Sequence, residues 1–175
     1  LRNLRKRLLE GAGGRILEIG IGTGANLPYY RDPGLLAGID RREGLLSGAF
    51  GKARGLPFAP CLADASAIPF PDDCFDTVVG TLVFCSLPDV RAALGEIRRV
   101  LRPGGHLLMI EHVRGRGPLT RRITDWLQPF WFALQGECHL NRETEARVIE
   151  AGFRIEESEI HGHGMILLLQ AGLPA

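Results

Sequence analysis

The chain has 175 residues, which suits a single domain with a substantial core. Hydrophobic residues make up 45% and charged residues 23%, and the net charge is +1, so the composition is that of a globular protein without a broad affinity for nucleic acid. There is no apolar run of 18 residues, no signal-peptide pattern, and no zinc or disulfide spacing among the four cysteines; we therefore expect a cytoplasmic protein without a transmembrane helix or a metal site.

In the first half of the chain, short apolar segments end at glycines or acidic residues. Residues 1–10 are predicted to form a basic helix that ends at the glycines of residues 11–14. Three short apolar segments predict buried strands at residues 15–19, 35–39 and 60–63. The first strand ends at a glycine cluster, the second at Asp40 and the third at Asp64.

The second half alternates strongly apolar and amphipathic segments. Residues 75–84 are almost continuously apolar, which is typical of a parallel strand covered on both faces. Residues 89–101 predict an amphipathic helix with Asp89 as its N-cap, followed by a Pro-Gly-Gly turn. The remaining predictions are a strand at 106–113, a helix at 142–151, and a hairpin of strands at 153–160 and 165–171.

Strands that alternate with helices predict an α/β fold with a parallel sheet and right-handed crossovers. The seven predicted strands form a mostly parallel sheet, and the C-terminal hairpin makes one edge strand antiparallel. No linker or repeat divides the chain, so residues 1–175 are predicted to be one domain.

The loop after the first strand, here called the glycine loop (residues 20–26), is the main candidate ligand site. Its glycines permit a tight turn at the sheet edge where open α/β sheets bind ligands. Gly20, Gly22 and Ala25, with Asp40 downstream, also fit a dinucleotide pattern, so a nicotinamide or flavin enzyme is an alternative. Glu18 before the loop, Asp64 after the third strand and the short C-terminal remainder favour S-adenosylmethionine. In that interpretation Asp40 accepts both ribose hydroxyls and Asp64 accepts the adenine amino group.

Three motifs in order resemble those of class I S-adenosylmethionine-dependent methyltransferases: residues 17–24, 67–76 and 101–105. The resemblance implies a Rossmann-like doubly wound sheet. Four further segments (26–27, 81–86, 111–113 and 141–144) look like a subgroup that contains alkyl-thiol S-methyltransferases and phospholipid- and quinone-type methyltransferases. Relatives with these motifs methylate sulfur, nitrogen or carbon, so the resemblance does not fix the acceptor.

The resemblance also implies roles for individual residues. The glycines would line the methionine part of the cofactor, Asp40 and Arg41 would flank the ribose and adenine, Asp64 and Ala65 would edge the adenine, and Thr81 would offer backbone groups near the amino acid. The complete predicted cofactor set is Glu18, Gly20, Gly22, Thr23, Gly24, Asn26, Asp40, Arg41, Asp64, Ala65 and Thr81.

The predicted activity is methyl transfer from S-adenosylmethionine to a small, apolar acceptor, a thiol or a lipid-like molecule. The alternative is a non-catalytic module that binds S-adenosylmethionine or S-adenosylhomocysteine. Glu111 and His112, at the end of the fifth strand, are the candidate bases; an ion pair and a packing role are the alternatives. Residues 114–141 are predicted to be an insert or lid over the acceptor, and the basic and aromatic stretch 114–132 could instead contact a membrane surface or pack on the core.

Overall fold

The computed structural model describes residues 1–53, 55–114, 117, 122, 126 and 143–174. Strands and helices alternate along these residues, as the sequence predicted. In chain order they are α1 (Arg2–Glu10), β1 (Arg15–Ile19), β2 (Leu35–Asp40), α2 (Glu43–Lys52), β3 (Phe58–Leu62), β4 (Phe75–Thr81), α3 (Val90–Val100), β5 (Leu101–His112), α4 (Thr144–Glu150), β6 (Arg154–His161) and β7 (Ile166–Gly172). No helix in the described part of the chain is long and apolar enough to cross a membrane.

The strands form one seven-stranded sheet in the order β3-β2-β1-β4-β5-β7-β6. Strands β1 to β5 pair in parallel, whereas β7 pairs antiparallel with both β5 and β6. The mostly parallel sheet with a C-terminal edge hairpin is thus confirmed. The antiparallel strand is not the edge strand, however. The chain passes β7 into the sheet between β5 and β6, so that β6 lies at the edge and runs in the same direction as β5.

The core has two parts, one on each face of the sheet, because neighbouring residues of a strand point to opposite faces. In β4, for example, Val78 packs on the face that α3 and α4 cover, and Val79 packs on the face that α1 and α2 cover. Both side chains are fully buried. The central strands are apolar on both faces, so both faces have to be covered by helices. The doubly wound arrangement therefore follows from the continuous apolar runs.

Two strand boundaries and one helix differ most from the sequence-based prediction. Strand β4 ends at Thr81, three residues before the predicted end, and the chain then forms a short 3₁₀ turn at Phe84–Ser86. Strand β5 begins at Leu101, because Leu101 pairs with Phe75; the Pro-Gly-Gly segment then forms a register shift, and pairing resumes at Thr77↔His106. Helix α2 was not predicted, since Gly44, Gly48 and Gly51 lower its helix propensity. The N-cap prediction is confirmed: the Asp89 carboxylate accepts a hydrogen bond from Ala92 N at 2.9 Å.

Strands β1 and β4 are neighbours at the centre of the sheet, and the strand order runs outward from them in both directions. Their crossovers therefore lie on opposite faces, which opens a crevice at the carboxyl ends of these two strands. The glycine loop follows β1 and a second turn follows β4 at this point. The topology thus places both segments beside one crevice.

Candidate functional site

A cleft of about 300 Å³ lies in this crevice. Its walls come from the segments that follow four parallel strands, which explains why residues distant in sequence meet there. The lining residues are Ile19, Gly20, Ile39, Asp40, Arg41, Arg42, Ala63, Ala65, Leu82, Val83, Ser86, Leu87 and Pro88. Four of the residues predicted from sequence (Gly20, Asp40, Arg41 and Ala65) therefore face one common space.

The glycine loop packs tightly against the segment after β4. Gly20 has a φ of +60°, and a Cβ added there would lie 2.3 Å from Val83 Cγ2. Gly24 has a φ of +74°, and an added Cβ would lie 2.4 Å from Leu27 Cδ1. At Gly22, by contrast, the nearest atom to an added Cβ is Gly20 O at 4.0 Å. Two of the glycines are therefore required by packing, whereas the third leaves open space beside the backbone.

Asp40 joins the glycine loop to the end of β2. Its carboxylate accepts hydrogen bonds from Gly22 N at 3.0 Å and from Arg42 N at 2.9 Å, one on each oxygen. The side chain is 8% exposed. A carboxylate has about four acceptor positions, so Oδ2 keeps one for a further donor, whereas Oδ1 has Arg42 Nε beside it at 3.6 Å. Asp40 is thus both a support of the loop and an open acceptor in the cleft.

Glu18 lies beneath the glycine loop, and it is not among the residues that line the cleft. One of its oxygens accepts a hydrogen bond from Asn26 Nδ2 at 2.9 Å, and the other accepts one from the Tyr30 hydroxyl at 2.7 Å. Burial raises the pKa of Glu18 to about 7, and the two hydrogen bonds oppose that rise. Both oxygens of Glu18, a member of the predicted cofactor set, thus accept hydrogen bonds inside the protein.

Asn26 links this buried group to β4, since its Nδ2 also donates to Thr81 Oγ1 at 3.0 Å. Asn26 is fully buried, and its Oδ1 has no hydrogen-bond partner. A buried acceptor left unpaired is costly. Tyr30, which the sequence analysis missed, completes the cluster, and its own pKa is raised by burial and by the neighbouring Glu18. The hydrogen bonds among Glu18, Asn26, Tyr30 and Thr81 thus connect the glycine loop to β1 and β4 from its buried side.

Asp64 lies outside the cleft, beside the lining residue Arg41. The Asp64 carboxylate accepts hydrogen bonds from Ser66 N at 2.8 Å and Ser66 Oγ at 2.6 Å, and these lower its pKa. Arg41 contacts the other oxygen at 3.4 Å. Ala65 lines the cleft, but Asp64 does not. Thr23 also lies outside the cleft; its carbonyl accepts a hydrogen bond from Lys52 Nζ at 2.8 Å.

Glu111 is fully buried, and its carboxylate accepts hydrogen bonds from three successive backbone N–H groups. The distances to Val83 N, Phe84 N and Cys85 N are 2.8, 2.9 and 3.2 Å. Burial raises the pKa of Glu111 to about 7, and the backbone hydrogen bonds oppose the rise. Glu111 lies near the end of β5 as predicted, but its side chain points under the segment after β4 and is not among the residues that line the cleft.

His112 is partly buried at the end of β5, and burial lowers its pKa. A second groove, of about 610 Å³, shares Pro88 with the cleft and reaches from Phe84 to the start of α4. Arg91, Arg114 and Arg147 also line this groove. The predicted lid at residues 114–141 lies almost entirely outside the described residues.

The sequence analysis missed the wall that follows β4, namely Leu82, Val83, Ser86, Leu87 and Pro88. The apolar pattern continues through these residues, so the strand was predicted to run on to Phe84. The available signal was positional: residues that follow a central parallel strand lie at the ligand-binding edge. Leu82 has a φ of +56°, a conformation that is rare for a non-glycine residue.

Comparisons with known proteins agree with this geometry. A phosphatidylethanolamine N-methyltransferase from Cereibacter sphaeroides is 37% identical over 116 residues, which cover 63% of this chain and 57% of that protein. A thiol S-methyltransferase from Rattus norvegicus is 33% identical over 147 residues, which cover 79% of this chain and 59% of that protein. The chain therefore spans less than two thirds of the length of either relative.

A crystal structure of an S-adenosylmethionine-dependent methyltransferase from Mesorhizobium loti shares the fold, with a TM-score of 0.76, 21% identity and coverage of 98% of this chain and 96% of that chain. The family described as methyltransferase domain matches residues 17–109, which run from the middle of β1 to the middle of β5 and include the glycine loop and the segment after β4. The chain therefore belongs to the methyltransferase domain family.

Proposed function

We propose that the chain binds S-adenosylmethionine in the cleft and transfers its methyl group to a small thiol or lipid-like acceptor. The observation that supports this most is the position of Asp40. Its carboxylate lies at the end of β2, holds the glycine loop through Gly22 N and accepts one hydrogen bond on each oxygen, so that Oδ2 can accept a further donor and Oδ1 has Arg42 Nε beside it at 3.6 Å. Two adjacent ribose hydroxyls are donors of the matching kind, and a free 2′-hydroxyl is favoured over a 2′-phosphate by the negative charge.

The residues of the cleft also fit the rest of such a cofactor. The open space beside Gly22 allows close approach to the loop backbone. Ile39, Ala63 and Ala65 give an apolar surface at the ends of β2 and β3, which suits the faces of an adenine ring.

S-adenosylmethionine supplies a methyl group that its sulfonium has already activated. The protein therefore has to align the acceptor, exclude water and accept a proton where the acceptor carries one. We assign the acceptor to the groove next to the cleft, because the two share Pro88. His112, at the end of β5, is the proposed base, although it is not among the residues that line the cleft or the groove. Its lowered pKa keeps the ring neutral near pH 7, so it can accept a proton.

The acceptor class is inferred from the relatives and from the groove. The relatives are named for methyl transfer to a thiol and to an amine lipid, so they share small acceptors and differ in the reacting atom. The groove combines Phe84 and Pro88 with three arginines and with the carboxylates of Asp89 and Glu143, and Arg114 lies 3.9 Å from Glu143. An acceptor with an apolar body and a polar end fits such a lining.

Calorimetry with S-adenosylhomocysteine and with NADH tests the cofactor, and transfer of labelled methyl groups to a panel of thiols, amines and quinones tests the reaction. We expect S-adenosylhomocysteine to bind and Asp40→Asn to weaken that binding by about 1–3 kcal/mol. Arg154→Gln, an exposed change at the start of the edge strand β6, is the control. Binding of NADH alone would refute the assignment, and tight cofactor binding without transfer to any acceptor would indicate a non-catalytic module.

A further inference from the structure

The wall of the cleft that follows β4, residues 82–86, is here called the β4 turn. Its backbone is anchored at both ends: Leu82 N donates to Ile110 O at 2.7 Å, and Ser86 N donates to Val83 O at 2.9 Å. Leu82 takes a positive φ, which costs a leucine about 1–3 kcal/mol unless its surroundings hold it. The turn therefore needs support from outside its own sequence.

Glu111 provides that support. Its two oxygens bind all three N–H groups between the anchored ends, those of Val83, Phe84 and Cys85. The carboxylate is fully buried, so the hydrogen bonds are shielded from water. Buried N–H groups without partners are rare because they are costly, and here one side chain satisfies three of them.

The support reaches the glycine loop through Val83. The Val83 side chain fills the space where a side chain of Gly20 would lie, 2.3 Å from its Cγ2. Val83 and Gly20 both line the cleft and pack against each other where the glycine loop meets the β4 turn. A shift of the β4 turn would therefore move Val83 against or away from Gly20 and change the width of the cleft.

We propose that Glu111 is a positioning residue that fixes the β4 turn and thereby the width of the cofactor cleft, and not the base that accepts the proton of the acceptor. The inference rests on the proposed function of the cleft. A base has to reach the reacting atom, and Glu111 is fully buried with three hydrogen bonds to one turn. His112, the next residue on β5, points to the other face of the sheet.

The test compares Glu111→Gln with His112→Gln and uses binding of S-adenosylhomocysteine, which needs no proton transfer. A glutamine has one acceptor oxygen in place of two, and its amide N–H₂ faces an N–H donor of the turn. We expect Glu111→Gln to raise the dissociation constant roughly tenfold or more and His112→Gln to leave it unchanged. An unchanged constant in Glu111→Gln together with lost turnover would overturn the proposal and assign Glu111 as the base.

Thr77→Val controls for general loss of stability. Thr77 is buried at the opposite end of β4, where its hydroxyl donates to Gly13 O at 3.0 Å. This variant should lose stability and keep the wild-type affinity for S-adenosylhomocysteine. Equal losses of affinity in Thr77→Val and Glu111→Gln would mean that Glu111 acts only through global stability, which contradicts the proposal.

Amide hydrogen exchange in the ligand-free wild type gives a result even if Glu111→Gln does not fold. The amides of Val83, Phe84 and Cys85 should exchange slowly, and in Glu111→Gln the acceleration should be confined to them while Val78 and Val79 stay protected. Fast exchange of the three amides in the wild type would refute the proposal. If the wild type did not bind S-adenosylhomocysteine, the proposed function would fail, whereas the exchange rates would still report whether Glu111 holds the turn.

Discussion

Replacing Gly20 by alanine tests whether the glycine loop and the β4 turn touch without spare room. The added Cβ would lie 2.3 Å from Val83 Cγ2 and 2.9 Å from Val83 Cβ. Both distances are much shorter than the roughly 3.5–4.0 Å that is optimal for two nonbonded carbon atoms. Because Val83 N donates a hydrogen bond to Glu111 at 2.8 Å, the valine backbone is held in place and cannot easily move away from the added Cβ.

Gly22 provides the matched control, since its φ of +56° is close to the +60° of Gly20 but an added Cβ meets nothing nearer than 4.0 Å. Gly22→Ala therefore carries backbone strain alone, about 1–2 kcal/mol. Gly20→Ala adds an overpacking cost of about 1–3 kcal/mol. We expect Gly20→Ala to lower the free energy of unfolding by about 2–5 kcal/mol, clearly more than the control does.

Urea unfolding of the two variants measures these losses, and a double variant identifies their source. Val83→Ala removes the atom that lies closest to the added Cβ, so Gly20→Ala should cost less in the Val83→Ala background than in the wild type. Equal losses at Gly20 and Gly22, or strictly additive effects of Gly20→Ala and Val83→Ala, would refute the packing argument.

Three other predictions concern pH, helix stability and turnover. Burial raises the pKa of Glu18 from 4.5 to about 7, so its stabilising contribution is complete below pH 4.5 and is lost as the pH rises through 7. The loss from Glu18 should approach about 3 kcal/mol, so Glu18→Gln should lose that much less over this pH range, while Glu111 contributes a loss in both proteins. Parallel pH dependences of urea unfolding in the two proteins would contradict the prediction. Gly44→Ala should stabilise α2 by about 0.5–1 kcal/mol, because an added Cβ meets no atom within 4 Å. Gly105→Ala should destabilise the protein, because its added Cβ would lie 2.9 Å from Arg102 O. A higher melting temperature for Gly105→Ala than for Gly44→Ala would show the reasoning to be wrong. Turnover should fall at acidic pH as His112 becomes protonated, and the fall should lie below pH 6.5 because burial lowers the pKa of His112. This acidic limb should disappear in His112→Gln. A pH profile of the variant that keeps the limb excludes His112 as the base.

The sheet was predictable from the sequence because the central strands are apolar on both faces. The continuous runs in β1 and β4 leave few other solutions, and the alternation with helices sets the parallel direction. The glycine loop was equally visible, since glycines that directly follow a buried strand mark a tight turn at the ligand-binding edge. Asp40, as the last residue of β2, was placed correctly beside it by the same argument.

Long-range hydrogen bonds were not predictable. Glu18 and Glu111 were expected near a ligand because an acid at the end of a strand usually meets solvent or substrate. Their partners, Asn26 and Tyr30 for one and the β4 turn for the other, are apparent only when the chain is folded. The positive φ of Leu82 has the same origin, since nothing in its local sequence requires it.

The internal position of β7 has a consequence for how the protein assembles. Strand β5 keeps an open edge until β7, the last strand in the sequence, pairs with it across seven residue pairs from His106↔Gly172 to His112↔Ile166. Four residues of that edge, Leu107 to Ile110, are almost completely buried in the finished fold. During synthesis the backbone N–H and C=O groups along this edge of β5 therefore have no strand partner until β7 leaves the ribosome. An edge of this kind is a template for intermolecular pairing, so slow or incomplete docking of β7 favours aggregation over folding.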